Sequence, residues 1–257
     1  MDFAIIVVVS CLASLLTFFS GFGLGTILTP AFMLFFPVEI AIAMTGIVHF
    51  SNNLFKLGLI GKNINYPILL KFGVPAMFGG FGGALLLNKL NSFTDLIPYS
   101  LAGWSFETRS VNMAIAGVMI FFALFDIIPR LKNLEFSSNL LIPGGALSGF
   151  FGGLSGHQGA LRSAFLIKSG LTKEHFIATG VSVACLVDIS RLLIYSKSGS
   201  FESTLDNLPL ILSATGAAFI GAILGKQLLK KVTIDALKLF VGGLIIVLAM
   251  GLALGLF

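Results

Sequence analysis

Two glycine clusters, each inside a hydrophobic run, and one arginine just after the second are the residues best placed to do chemistry. Ser20-Gly21-Phe22-Gly23-Leu24-Gly25 interrupts the first run; Gly152-Gly153-Leu154-Ser155-Gly156-His157-Gln158-Gly159 interrupts the second. Glycine permits a tight reversal and close backbone approach. A helix restarting after such a break offers unpaired N–H groups and a partial positive charge, which suit an anion. The restarts are expected near Gly25 and Gly159. Arg162 follows Gly159 by one turn, where the first half has Leu28. Guanidinium is the preferred planar partner for an oxyanion, and an intramembrane arginine is usually functional. The competing readings are that Arg162 snorkels to the membrane edge or pairs with Asp188. Glycine-mediated helix packing is the preferred reading for Gly79, Gly82, Gly83, Gly221 and Gly225.

More polar residues follow each break. Thr45, His49, Asn52, Asn53 and Lys56 recur at three- and four-residue steps, so they share one helix face. Thr179, Ser182, Cys185 and Asp188 do the same in the second half. A polar stripe on a membrane helix must face protein or water. Asn53 and Ser190 read as helix-to-helix glue. Asp188 either carries a coupling proton or is a fixed counter-ion to Arg191 or Arg162, and the sequence leaves both open. The expected substrate-binding set is Gly23, Gly25, Thr45, His49, Asn52, Gly156, His157, Gln158, Gly159, Arg162, Thr179 and Ser182, with Asp188 as the coupling candidate.

The elements that must hold these groups are membrane helices. Of 257 residues 56% are hydrophobic and 11% charged, with mean hydropathy +1.02. Soluble domains are nearer a quarter charged. The net charge of +5 sits mainly in short loops and reads as topology determinants beside lipid headgroups, not as a nucleic-acid surface. Gly21-x-Gly23-x-Gly25 lacks the βαβ setting of a dinucleotide site. His49, His157 and His175 lack metal-ligand spacing, and Cys11 and Cys185 form no CxxC. No cofactor, metal or enzyme activity is expected.

The two halves match in register. Gly25 to Thr45-Gly46 is the same distance as Gly159 to Thr179-Gly180, and Pro67, Gly79 and Gly83 match Pro209, Gly221 and Gly225 at one offset. The first repeat is expected at 1–128, with a hairpin at 3–36 and spans at 38–60, 66–87 and 111–128. A cytoplasmic connector follows at 129–139. The second repeat is expected at 140–257, with a hairpin at 140–167 and spans at 175–195, 208–229 and 234–257. Residues 91–109, with Pro98, Tyr99 and Trp104, read as an interfacial loop.

Charge selects the topology. If each broken segment enters and leaves on one side, Lys56, Lys62, Lys71, Arg130, Lys132, Lys168, Lys173, Lys226, Lys230, Lys231 and Lys238 share a face. Only Lys89, Arg109, Arg191 and Lys197 lie toward the other, the positive-inside pattern. Stretches 24–36 and 159–167 are also too short to cross about 30 Å at about 1.5 Å per residue. Three spans plus one hairpin per half invert the second half against the first. The expected fold is thus all-α and integral to the membrane: two inverted repeats, each a glycine-broken re-entrant hairpin plus three transmembrane helices. Both termini lie outside the cytoplasm.

The second glycine turn followed by Ala160-Leu161-Arg162, then Gly170-Leu171 and Ala178-Thr179-Gly180, resembles the sulfite exporter TauE/SafE family. So does its first-half counterpart, Gly21 to Gly25 with Pro30 and Ala43-Met44-Thr45-Gly46. The resemblance covers essentially the whole chain. It implies a bacterial inner-membrane transporter of small sulfur-containing anions such as sulfite or organosulfonates, with H+ as a possible coupling ion. Ser155-Gly156-His157-Gln158 departs from the more uniform glycine run usual there. An anion channel, or a membrane scaffold or enzyme without transport, are the alternatives.

Overall fold

The computed structural model describes residues 2–20, 23–93, 95–101, 104–132, 134–198, 200–228 and 234–256. Gly21 and Phe22 of the first glycine cluster, and the loop lysines Lys230 and Lys231, lie outside the described residues.

The chain runs α1 (Asp2–Ser20), α2 (Leu24–Met33) and α3 (Val38–Ile60), then α4 (Tyr66–Ile68) and α5 (Val74–Asn91). A π-helical turn, Leu69–Gly73, makes α4 and α5 one 26-residue helix. Strands β1 (Leu96–Leu101) and β2 (Trp104–Arg109) precede α6 (Ser110–Ile127) and the short α7 (Pro129–Lys132). The rest comprises α8 (Leu141–Ser155), α9 (Gly159–Leu166), α10 (Lys173–Tyr195), the short α11 (Ser200–Leu205), α12 (Leu208–Leu228) and α13 (Ile234–Ala253).

Among the described residues, four helices are long and apolar enough to cross a membrane: Tyr66–Asn91, Ser110–Ile127, Lys173–Tyr195 and Leu208–Gln227. Helix α3 matches α10 in length. One of its faces carries His49, Asn52, Asn53 and Lys56. Large side chains such as Phe78, Leu85, Leu212 and Val247 point outward, as expected where lipid is the solvent.

The all-α expectation needs one correction. Where the sequence reads as a loop, Leu96–Leu101 pairs antiparallel with Trp104–Arg109, with Tyr99 opposite Phe106. Their rings stack at 5.5 Å, the kind of cross-strand aromatic pair that stabilises a ribbon. The Tyr99 hydroxyl donates to the Leu254 carbonyl at 2.6 Å, tying the hairpin to the far end of the chain.

The second broken segment folds back. Gly144, at the start of α8, lies against the Phe165 ring at the end of α9, and the Phe136 N–H donates to the Ala164 carbonyl at 3.0 Å. Gly156 permits this reversal: it caps α8 in the left-handed region, at φ 81°.

Packing between the halves is reciprocal. Helix α1 lies along α12, and α8 along α5; α3 meets α10, and α6 meets α13. The α5–α8 seam is closed by small residues. A Cβ on Gly145, Gly149 or Gly153 would stand 2.2, 1.9 or 2.0 Å from the carbonyl oxygens of Phe72, Ala76 and Gly80. One on Gly79 or Gly83 would stand 2.1 or 1.9 Å from those of Ala146 and Phe150. Gly221 meets the Cys11 carbonyl likewise, at 2.1 Å, whereas Gly82 makes ordinary contact at 3.8 Å. Backbones this close are held by dispersion, not by hydrophobic burial, which lipid does not supply.

Candidate functional site

The two glycine breaks touch. A Cβ on Gly25 would lie 3.1 Å from the Gly156 carbonyl oxygen, and one on Gly23 would lie 3.9 Å from the Gly159 nitrogen. Neither α2 nor α9 has a side-chain cap on its first turn. Two uncapped helix starts therefore meet inside the protein, where their N–H groups favour negative charge.

A cavity of about 40 Å³ opens beside this crossing. One water needs roughly 10–15 Å³ by the same measure, so a few waters or a compact ion fit. Gly23 and Leu24 border it from the first break, and Arg162 and Ser163 from α9. His49, Asn53 and Lys56 enter from α3, and Phe176, Ile177, Gly180 and Val181 from α10. Arg162 is 8% exposed, and its Nη1 is buried with no hydrogen-bond partner. A buried guanidinium nitrogen without an acceptor is energetically expensive, and an oxyanion would supply the acceptor.

Asp188 sits at the α3–α10 contact. His49 Nδ1 lies 2.6 Å from its Oδ2. Arg191 Nε and Nη2 lie 2.9 and 2.7 Å from its Oδ1. The Asn53 amide donates to Oδ2 at 3.3 Å. Of the counter-ions the sequence left open, Arg191 is the one in contact, and His49 joins it from the other half. Arg191 is thus paired with Asp188, while Lys56 and Arg162 border the cavity.

Lys56 and Arg191 also correct the charge count that placed them with the loop cations. They are 4% and 0% exposed. Each lies on a polar helix face turned toward the opposite half, and that face draws the charge inward. Lys56 shares its three- and four-residue spacing with His49, Asn52 and Asn53, so its place at the cavity had a sequence signal. Ser163 had none beyond its position after Arg162.

The other expected residues divide. The Thr45 methyl lies 3.6 Å from where a Gly25 Cβ would be, and its hydroxyl is buried without a partner. Gln158 is fully buried, and both amide atoms lack partners. Asn52 accepts from the Ser14 hydroxyl at 3.2 Å, leaving Nδ2 unpaired. His157 turns away from the cavity: Nδ1 lies 3.0 Å from the Ser155 carbonyl, and the ring stacks on Phe122 at 5.9 Å. Thr179 accepts from the Asn65 N–H at 2.9 Å and so anchors the turn before α4. Ser182 donates to the Ala178 carbonyl of its own helix. Neither Thr179 nor Ser182 borders the cavity.

The comparisons with curated proteins and with solved structures return no match. A family model does match, over residues 6–252 of the 257, and its members are transporters. The match takes in both glycine breaks, the buried arginine beside their crossing and the apolar helices that make this an integral membrane protein. The chain belongs to the sulfite exporter TauE/SafE family.

Proposed function

We propose that this protein is a secondary transporter, working as an exporter, of small sulfur-containing anions such as sulfite or an organosulfonate. The observation that carries this reading is Arg162 Nη1, buried without a hydrogen-bond partner beside the crossing of two glycine breaks. The anionic head binds there, between Arg162, Lys56 and the start of α2, with His49 and Asn53 completing the wall. Inverted repeats of 1–128 and 140–257, joined by a cytoplasmic connector, give the molecule two near-equivalent states. The exchange of partners between halves supports this: α1 on α12 corresponds to α8 on α5. Rocking of one half against the other alternates access to the site in the bacterial inner membrane, with both termini outside the cytoplasm.

The test is uptake and counterflow of labelled sulfite in proteoliposomes, comparing wild type with Arg162→Gln. Saturable, trans-stimulated flux lost in the variant is the expected result. Wild-type flux from a folded Arg162→Gln protein would falsify the assignment. Flux that never saturates would mark a channel.

A further inference from the structure

We propose a second anion station on the opposite side of the glycine crossing, formed by Arg191 and Thr29; it rests on the transport reading above. Thr29 Oγ1 and Arg191 Nη1 are both buried without a hydrogen-bond partner, in residues that are 0% exposed. They converge on Gly156. A Cβ there would meet Arg191 Nη1 at 3.2 Å and Thr29 Oγ1 at 3.4 Å. With no side chain there, the Gly156 backbone lies between one charged and one neutral donor. Nε and Nη2 of Arg191 turn to Asp188, so Nη1 is the nitrogen left to point elsewhere. The Tyr195 hydroxyl, which donates to the Gly153 carbonyl, borders the same guanidinium. A buried donor pair of this kind fits a small oxyanion: the cation supplies charge and the hydroxyl a second contact.

The register of the two halves supports the pairing independently. The offset that places Gly25 on Gly159 also places Thr29 on Ser163, and Ser163 lines the Arg162 cavity. The same offset places Lys56 on Ser190, one position before Arg191. One station is thus α9 with a cation from α3, and the other is α2 with a cation from α10. The stations are not identical, since Leu28 stands where the second half has Arg162.

The proposed entry lies along α2, at a separate cavity that Thr29, Gly156 and Arg191 do not themselves border. A cavity of about 430 Å³ is lined by Met33, Val38, Arg109 and Asn112, among others. Met33 is one helical turn beyond Thr29 on the same face of α2. Arg109 gives that vestibule a positive charge, held by Glu39 at 3.3 Å. An anion crossing the protein passes from one station to the other, with the His49–Asp188 contact standing between the halves.

The experiment measures the KM for sulfite separately from each face, in right-side-out and inside-out vesicles. Thr29→Val keeps the branched shape and removes the hydroxyl. It is expected to raise KM about tenfold from the vestibule face and leave the other face unchanged, the loss of one hydrogen bond to a charged ligand. Arg162→Lys is expected to raise KM from both faces, since the central site serves both, so a one-sided effect is specific to Thr29. The paired variant Asp188→Asn/Arg191→Gln removes both partners of the ion pair, so no lone charge is left buried. Its vestibule-side KM is expected to stay raised. A wild-type KM on that face in Thr29→Val, or in the paired variant, overturns the second station while the transport reading stands. Absence of sulfite flux in the wild-type protein instead defeats the transport reading itself.

Discussion

Two glycine-rich regions of this molecule use the same residue for opposite ends. Along the α5–α8 seam, Gly79, Gly83, Gly145, Gly149 and Gly153 bring two backbones into direct contact, and carbonyl oxygens fill the space where side chains would stand. At the crossing of the breaks, Gly23, Gly25 and Gly156 also bring backbones together. There the surroundings are unpaired polar groups: Thr29, Thr45, Gln158, Arg162 and Arg191. The seam is satisfied by its own packing. The crossing is not, and a buried donor lacking an acceptor is the mark of a place where something else binds. Glycine content alone therefore does not distinguish glue from site; the hydrogen-bonding state of the neighbours does.

The contrast can be broken at several points, beginning with the largest effect. Asp188→Ala leaves the Arg191 charge buried without its partner and should destabilise the fold by about 3–5 kcal/mol. Thermal unfolding in detergent reads this, and a melting temperature equal to wild type would mean the pair contributes nothing. Gly149→Val comes next. Its Cβ would stand 1.9 Å from the Ala76 carbonyl oxygen, so the seam must open, at about 1–3 kcal/mol or more. Size-exclusion profiles and unfolding curves should both worsen; an unchanged protein would show that the seam is not tightly closed.

Arg162→Gln separates the regions most sharply. It should keep the unfolding midpoint near wild type while sulfite affinity falls about 10- to 100-fold, the range for a lost charged contact. Parallel loss of stability and affinity would place Arg162 with the structural groups instead. The smallest effect is a control within a helix. Nothing lies within 4 Å of a Cβ on Gly117. Gly117→Ala should therefore stabilise by about 0.5–1 kcal/mol through helix propensity alone, and a destabilised variant would reveal a neighbour that the packing does not show.

Much of the fold was legible because lipid leaves few options. Long apolar runs must become helices, and the matched spacing of Gly25–Thr45 and Gly159–Thr179 marked the two breaks. The strands at 96–109 were not legible. Their stability comes from the pairing of Tyr99 with Phe106 and from the Tyr99–Leu254 bond, and the latter joins residues 155 apart in the chain. The site was legible in part. Arg162 and His49 border the cavity, while Thr179 and Ser182 spend their hydroxyls on backbone carbonyls or amides elsewhere. A helical period states which residues share a face; it does not state which neighbour that face meets.

The sequence by itself determined that this chain lives in a membrane, that its halves share a pattern, and that an arginine follows the second glycine break. Those properties are local: apolarity, spacing and residue type along the chain. Only the tertiary structure decided that the two breaks touch, that Asp188 meets His49, and that Lys56 and Arg191 turn inward. Each of these depends on contacts between segments more than a hundred residues apart or on the side a charged face is made to take. Such choices are set by the packing of the whole bundle, because a buried charge is tolerated only where distant partners meet it.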